Sequence, residues 1–266
     1  MSDFLQSMAT TSAERAAQVA ADFTSSDFDK PVVPLALNSF DVIAEIKERS
    51  PAEGDLSDVG TNRHTRALSY ASGGAAAISV LTEPSRFDGA LSHLEEVVAA
   101  VPNTPVMRKD FLVEPIQILE ARKAGASGVL LITTMLSDAT LTEMLNRAWE
   151  HDMFVLLEAF DEDDLRRASA QLEKPANRDK ADAGQLLVGV NTRNLRTLEV
   201  DAERLKKLAP LLPAARCVAE SGLRVAADAA RVAGWGYTMA LVGTALMRSD
   251  DPAALISAMR TAGAGA

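Results

Sequence analysis

Past residue 40, the hydrophobic and polar positions of this chain alternate between two kinds of segment. One kind is a short run that is apolar at nearly every position, which is typical of a strand buried on both faces. The other kind is longer and spaces its apolar residues as a helix does. The predicted strands are 42–47, 76–81, 105–108, 128–132, 154–158, 186–191, 216–220 and 239–242, and the predicted helices are 62–72, 90–100, 115–124, 138–150, 161–172, 202–211, 225–232 and 252–262.

These eight strand–helix units predict an α/β fold, a single (βα)8 TIM barrel with a short N-terminal helical extension. Eight parallel strands close such a barrel, and a doubly wound sheet, the alternative, seldom repeats its unit so evenly. We assign residues 1–40 to the extension, with one helix over 11–22 that covers the bottom or the rim of the barrel, and residues 41–266 to the catalytic barrel. The polar segment 173–184 is expected to be a solvent-exposed loop.

The first predicted strand carries two charges where apolar residues are expected. Glu45 and Lys47 are two residues apart, so their side chains share one face of the strand at a spacing of ~7 Å. Burying either charge without a partner costs roughly several kcal/mol, and pairing them recovers only part of that cost. A fold that keeps such residues inside has a use for them, so this strand end is a candidate active site.

Chemically active residues gather at the carboxyl ends of the predicted strands, whereas the strand beginnings are apolar. In TIM barrels the carboxyl ends and the loops that follow them form one rim, which holds the catalytic groups. The residues at these ends are Glu45, Lys47, Ser50, Ser79, Thr82, Glu83, Arg108, Lys109, Asp110, Phe111, Glu158, Asn191, Arg193, Glu220, Ser221, Gly222, Gly243 and Thr244.

The last two strand ends have the composition of a phosphate site. Ser221-Gly222 and Gly243-Thr244 are small residues that let backbone N–H groups approach a ligand closely. Helices that begin after them would point the positive ends of their dipoles at the same place, and barrels commonly bind phosphate after strands seven and eight. Either pair alone would indicate only a turn.

Lys109 and Glu158 are the natural acid–base candidates. Glu158 closes the apolar run 154–157, so desolvation is expected to raise its pKa and suit it to proton transfer. Lys109 adjoins Arg108, and a crowded cationic setting is expected to lower its pKa. A structural ion pair between strands is the alternative for each residue taken singly; several charges converging on one rim favour catalysis.

Composition and charge narrow the classes of partner. A net charge of −10 without a basic stripe argues against nucleic acid, and no apolar run approaches the ~20 residues of a membrane span. The N-terminus does not resemble a signal peptide, and the single cysteine, Cys217, fits a reducing cytoplasm. His64, His93 and His151 lack metal-ligand spacing, so no metal site is predicted. We expect a monomer or a weak homo-oligomer.

A series of short segments then identifies a family. The segments are Ile43-Ala44-Glu45-Ile46-Lys47 with Ser50-Pro51, Ile78-Ser79-Val80-Leu81-Thr82-Glu83, Arg108-Lys109-Asp110-Phe111, Gln117 with Glu120-Ala121 and Gly125-Ala126, Gly189-Val190-Asn191-Thr192-Arg193-Asn194-Leu195, Ala219-Glu220-Ser221-Gly222 and Leu241-Val242-Gly243-Thr244-Ala245-Leu246-Met247. In this order and spacing, the chain resembles the indole-3-glycerol phosphate synthases of tryptophan biosynthesis. No single segment would be specific, but the series is.

The resemblance implies a TIM-barrel carboxy-lyase that needs no metal or organic cofactor. Its small phosphorylated substrate would be 1-(2-carboxyphenylamino)-1-deoxyribulose 5-phosphate, and its products indole-3-glycerol phosphate, carbon dioxide and water. The resemblance implies that Lys109 is the general acid of ring closure and Glu158 the general base of dehydration, with Glu45 and Lys47 assisting proton transfer.

It also implies the residues that bind the substrate. Asn191 would hydrogen-bond a substrate hydroxyl, Lys47 and Arg193 would balance its negative charges, and Phe87 and Phe111 would form the wall for the anthranilate ring. The phosphate site would consist of Ser221, Gly222, Gly243 and Thr244 with Ser50 nearby, and Glu220 would be a further substrate contact.

This chain departs from the family pattern in its first loop. A basic residue commonly follows the position of Lys47, and Glu48 stands there in this chain. Ala52-Glu53-Gly54 replaces the usual Ser-Lys-Gly, and Asn191-Thr192-Arg193 replaces Asn-Asn-Arg. The loop is therefore less cationic, which bears on substrate affinity and loop motion.

Two other functions compete with this one. The first is another phosphate-binding barrel, such as a sugar-phosphate isomerase or an aldolase that forms a Schiff base through Lys109 or Lys47. The second is a binding or regulatory protein that kept the fold and lost turnover, against which the presence of Glu45, Lys47, Lys109 and Glu158 argues.

Overall fold

The computed structural model describes residues 3–50, 54–56, 62–193, 201 and 203–266, without the side chains of Asp3 and Ser50. Eight parallel strands close into a barrel in chain order, with the last strand paired to the first. They are β1 (Asp41–Ile46), β2 (Ala77–Leu81), β3 (Val106–Lys109), β4 (Gly128–Ile132), β5 (Phe154–Ala159), β6 (Leu186–Asn191), β7 (Arg216–Glu220) and β8 (Met239–Val242). The predicted TIM barrel is confirmed, and closure of the sheet excludes the doubly wound alternative. The division of the chain at residue 40 stays a prediction.

The strands are covered by helices, as the helical spacing between the apolar runs predicts. The helices are α1 (Asp3–Ala16), α2 (Arg63–Ser72), α3 (Pro84–Phe87), α4 (Leu91–Ala100), α5 (Ile116–Ala124), α6 (Asp138–Trp149), α7 (Glu162–Leu172), α8 (Pro175–Asp182), α9 (Arg204–Leu208), α10 (Ala226–Ala233), α11 (Thr244–Met247) and α12 (Pro252–Ala264). In α6 the buried positions are Leu141, Met144, Leu145 and Ala148, the i, i+3, i+4, i+7 stripe of a helix that packs on one face.

The N-terminal helix differs from its predicted position. The structure places α1 at Asp3–Ala16, eight residues before the predicted start at residue 11. Leu5 and Met8 are fully buried in the common core, so tertiary burial fixes where this helix lies. The alanine-rich segment after Ala16 has helical composition but lacks an apolar stripe that could pack in the same way.

The segment 173–184 is mostly exposed, as predicted, but it is not a loop, because most of it is helix α8. Pro175 occupies the first turn of this helix, where its missing N–H removes no hydrogen bond. Asn177 is buried: its Oδ1 accepts from the indole N–H of Trp149 at 2.9 Å, and its Nδ2 donates to the carbonyl of Gln171 at 3.0 Å. A polar residue therefore anchors this helix where an apolar stripe normally would.

Helix α1 lies over the catalytic rim. The Arg15 guanidinium is 2.7 Å from Oδ1 of Asp110 and 3.7 Å from Oε1 of Glu83, residues that follow β3 and β2. Ser12 accepts a hydrogen bond of 3.0 Å at its Oγ from Nε2 of Gln117. Of the two predicted locations, the rim is therefore correct, and the extension contributes to the neighbourhood of the site.

We expect Arg15→Met to loosen α1 without unfolding the barrel, because Asp110 keeps Arg108 and Thr82 as partners. Loss of a hydrogen bond between charged groups costs about 1.5–3 kcal/mol. Hydrogen exchange of the amides of α1, followed by mass spectrometry, should therefore accelerate ~10-fold or more, while exchange in β4 and β5 stays slow.

Arg166→Met is the matched control, since this exposed arginine pairs only along its own helix, α7, in the contacts that the structure describes. Equal acceleration of α1 exchange in both variants would contradict the role given to Arg15.

Candidate active site

A cavity of about 500 Å³ opens at the carboxyl rim of the barrel. It brings together every predicted site residue except Ser50, whose side chain lies outside the described part of the chain. The predicted residues that line it are Glu45, Lys47, Phe87, Lys109, Phe111, Glu158, Asn191, Arg193, Glu220, Ser221, Gly222, Gly243 and Thr244.

Glu45 lies between two ammonium groups at the floor of this cavity. Its Oε1 is 2.6 Å from Nζ of Lys47, and its Oε2 is 3.3 Å from Nζ of Lys109. Burial opposes the charged carboxylate, but the two lysines outweigh it and lower the pKa of Glu45 to about 2. The carboxylate is therefore ionised at neutral pH, and it ties β1 to β3.

The predicted lowering of the Lys109 pKa is wrong. Adjacent residues of a strand point to opposite sides, and the Arg108 guanidinium is turned away, 2.6 Å from Glu120 and 3.3 Å from Asp110. Burial disfavours the Lys109 ammonium, but the carboxylates of Glu45, Glu158 and Glu220 outweigh burial and raise its pKa above the ordinary value. Lys109 is therefore a protonated donor.

Glu158 and Glu220 form a second carboxylate pair, and both are only 1% exposed. Within the described part of the chain, none of their four oxygens has a hydrogen-bonding partner. Burial and the charge of Glu158 raise the pKa of Glu220 well above its ordinary value. Buried carboxylates without donors are expensive, so this pair is a site that a ligand or a shared proton completes.

Gly189 makes room for this pair. In the register of β5 and β6, Gly189 lies beside Glu158, and a Cβ on Gly189 would overlap Oε1 of Glu220. The missing side chain lets the Glu220 carboxylate lean from β7 across β6 toward Glu158. A glycine inside a continuously apolar strand commonly marks a close approach, so this feature could have been read from the sequence.

The proposed phosphate site consists of the turns after β7 and β8. Ser221 and Gly222 both adopt left-handed conformations, with φ of 67° and 82°. Ser221 Oγ donates to Oδ1 of Asn191 at 2.8 Å, and the same oxygen accepts from the N–H of Arg193 at 2.9 Å. At the end of the neighbouring strand β8, α11 begins directly after Gly243, whereas α10 begins only at Ala226. Asn191 thus joins the end of β6 to the turn after β7.

Two arginines missed by the sequence reasoning also line the cavity. Arg224 lies two residues after Gly222, and Arg248 follows the last residue of α11. Both are exposed. The available signal was their position a few residues beyond the two small-residue turns.

Three phenylalanines form an apolar wall. The rings of Phe87 and Phe111 have centroids 6.1 Å apart, and Phe4 meets Phe111 edge-on at 5.9 Å. The arrangement suits an aromatic ligand. Phe4 belongs to α1, and nothing in the sequence indicated that this helix would reach the site.

Several polar residues at the strand ends are structural instead. Asp110 accepts from Arg15 and from Thr82 Oγ1 at 2.7 and 2.8 Å, and Glu83 accepts the N–H groups of Ser85 and Arg86 at 2.8 and 2.7 Å, capping α3. The rim therefore contains residues that line the cavity and residues that support the rim, which the sequence alone could not separate.

The described residues contain neither a cluster of metal-binding side chains nor a membrane-spanning helix. Among the residues described, no group of three His, Cys, Asp or Glu side chains could hold a metal ion. In the same part of the chain, no helix is long and apolar enough to cross a membrane.

Comparison with known proteins gives a consistent result. A family model described as indole-3-glycerol phosphate synthase matches residues 6–259. A protein of that name from Parafrankia sp. (strain EAN1pec) is 45% identical over 223 residues, which cover 84% of this chain and 78% of the relative. One from Nocardioides sp. (strain ATCC BAA-499 / JS614) is 44% identical over 239 residues, covering 88% and 86%.

Solved structures with the same fold are more distant in sequence. A 3-hexulose-6-phosphate synthase from Salmonella typhimurium superposes with a TM-score of 0.61 at 15% identity, covering 84% of this chain and 98% of that chain. A tryptophan synthase subunit alpha from Legionella pneumophila str. Paris gives 0.55 at 15% identity, covering 85% and 94%. At such identities the likeness supports the barrel fold alone.

We expect Glu220→Gln to stabilise the folded protein near neutral pH. Because the folded-state pKa of Glu220 is raised, the unfolded chain releases this proton first as the pH rises above the ordinary carboxyl value of 4.5, and the wild-type folded state then loses stability relative to the unfolded state. Urea unfolding should show the advantage of the variant growing as the pH rises from the ordinary carboxyl value towards neutral.

Glu150→Gln, which removes an exposed carboxylate on the outside of the barrel, should show no such rise. A stability difference for Glu220→Gln that does not change with pH would refute the assignment.

Proposed function

The chain belongs to the indole-3-glycerol phosphate synthase family, and we propose that the charged rim of its barrel carries the acid–base chemistry of the family's reaction. The enzyme is a carboxy-lyase of tryptophan biosynthesis. It closes the ring of 1-(2-carboxyphenylamino)-1-deoxyribulose 5-phosphate and releases carbon dioxide and water, leaving indole-3-glycerol phosphate. The observation that carries the proposal is the Lys109 ammonium, held 3.3 Å from Glu45 at the floor of the cavity.

Lys109 acts as the general acid of ring closure. The aromatic carbon that bears the carboxylate attacks the ketose carbonyl carbon, and negative charge develops on the carbonyl oxygen. An ammonium already fixed by a carboxylate stabilises that charge without reorganising and then donates its proton, so the oxygen becomes a hydroxyl. Three surrounding carboxylates keep Lys109 protonated for this step.

Decarboxylation follows from the product of ring closure. The C–C bond to the carboxylate breaks, its electron pair restores the aromatic ring, and carbon dioxide leaves. The wall of Phe4, Phe87 and Phe111 holds the anthranilate ring in place during both steps. Lys47 and Arg193, which line the same cavity, balance the carboxylate before it is lost.

Glu158 is the general base of dehydration. It takes the proton from the carbon next to the new hydroxyl, and the hydroxyl leaves as water with a proton supplied by one of the lysines. The two carboxylate oxygens of Glu158 have no partner among the described residues, so they are available to this proton. Asn191 supports the step by hydrogen bonding to a substrate hydroxyl.

The phosphate binds at the turns that follow β7 and β8. Ser221-Gly222 and Gly243-Thr244 offer backbone N–H groups, and Arg224 and Arg248 add positive charge beside these turns. The phosphate, which is remote from the reacting carbons, then anchors the substrate equally in the ground state and in the transition state.

A Schiff-base aldolase fits this site less well. An amine that attacks a carbonyl must be neutral, which requires a lowered pKa, whereas the pKa of Lys109 is raised. Borohydride treatment with a keto-sugar phosphate should therefore leave no covalent adduct on the protein, and a trapped adduct on Lys109 would favour the aldolase. The cytoplasmic location and the monomeric or weakly oligomeric state stay predictions.

The direct test is the fluorescence of indole-3-glycerol phosphate formed from the anthranilate-ribulose phosphate. Lys109→Ala should lower kcat by roughly three orders of magnitude or more, because acid catalysis and charge stabilisation both pass through this side chain. Far-UV circular dichroism should show that the barrel is intact.

Lys123→Ala removes an exposed lysine whose ion pair with Asp27 lies outside the cavity, and this variant should keep full activity. Retention of wild-type turnover by Lys109→Ala would disprove the mechanism.

A further inference from the structure

Arg66 is a buried charge that the proposed mechanism does not use. It lies on α2, is only 4% exposed, and is 180 residues from its partners in the chain. Its Nη1 donates to the carbonyls of Leu246 and Met247 at 3.3 and 3.1 Å. These are the last two residues of α11, so a side chain from the first helix after β1 holds the helix that follows β8.

Helix α11 needs such support. It is four residues long, which is too short to be stable through its own hydrogen bonds. The carbonyls of the last turn of a helix have no partner within it. The N–H groups of Met247 and Arg248 bond back to Gly243 and Thr244 at 2.9 and 3.1 Å, closing a single turn. Arg66 supplies donors at its carboxyl end.

The opposite end of α11 lines the cavity at Gly243 and Thr244. A helix of this length spans only ~6 Å, so a shift at its carboxyl end moves its amino end by a similar amount. The position of α11 at its carboxyl end therefore sets the position of the two residues that line the cavity.

The same helix braces a second element of the site. Tyr70 is one turn after Arg66, so both side chains leave α2 on one face. Tyr70 is fully buried, and its hydroxyl donates to the backbone carbonyl of Glu45 at 3.5 Å. Helix α2 therefore contacts both the strand that carries the catalytic ion pair and the helix beside the phosphate.

We propose that Arg66 is the positioning residue of the phosphate site, fixing α11 through its terminal carbonyls so that Gly243 and Thr244 meet the substrate phosphate. The proposal rests on the proposed function for the identity of the ligand. It concerns the ground-state binding of a group remote from the reacting carbons, so it predicts an effect on KM rather than on kcat.

The test compares Arg66→Met with Arg66→Lys. Arg66→Met keeps the length and removes the donors, so KM for the anthranilate-ribulose phosphate should rise about tenfold while kcat stays within about twofold. The inhibition constant of inorganic phosphate as a competitor should rise by a similar factor. Arg66→Lys, which keeps one charged donor, should recover most of both losses.

Arg260→Met is the control for a purely structural role. Arg260 is 3.3 Å from the buried carboxylate of Asp41 at the start of β1, the end of the barrel opposite the cavity. This variant should lower stability without changing KM or the inhibition constant of phosphate. Equal KM values for Arg66→Met and the wild type, or a fall confined to kcat, would overturn the proposal.

Two further comparisons decide the role of Arg66 if Arg66→Met does not fold or if turnover is absent. If Arg66→Met does not fold, Arg66→Gln and Arg66→Lys give the same comparison, and unchanged KM values in both would refute the role. Calorimetric titration of inorganic phosphate into each variant needs no turnover. A wild type that binds phosphate but forms no indole product would therefore count against the proposed function alone, whereas equal phosphate affinity in wild type and variants would count against Arg66.

Discussion

The carboxylate of Glu45 is the interaction on which the site depends. It accepts Lys47 on one oxygen and Lys109 on the other, at 2.6 and 3.3 Å, and so fixes two ammonium groups from two strands at one point. A buried ion pair of this kind contributes little to net stability because desolvation offsets most of the attraction. Its value lies in geometry, since it holds a protonated Lys109 in place, as the proposed general acid requires.

Within the part of the chain that the structure describes, two other buried carboxylates in the cavity lack the close ion pairs that Glu45 has. Glu158 and Glu220 lie in the same cavity with no hydrogen-bonding partner among the described residues, and the fold makes space for them by omitting a side chain at Gly189. Packing alone would favour apolar residues at both positions. The protein thus gives up stability at the position of the proposed base, a pattern common at active sites.

The sequence correctly predicted the features of the fold that depend on a single strand or a single turn. Strands β4, β6, β7 and β8 have their predicted bounds, because continuous burial leaves a continuous apolar run. The failures come from contacts between distant segments. Burial of Leu5 and Met8 sets the position of α1, and Asn177 anchors α8 through Trp149. The pKa of Lys109 was predicted with the wrong sign because neighbours along a strand are not neighbours in space.

The distribution of charge in the cavity determines how a substrate must lie. Near Lys109, the carboxylate of Glu45 already pairs with both ammonium groups, so little positive charge there is free for a phosphate dianion. Arg224 and Arg248 adjoin the small-residue turns after the neighbouring strands β7 and β8. Under the proposed roles, the phosphate binds at these two turns and the ketose carbonyl faces Lys109. Electrostatic exclusion orients the substrate as much as attraction does.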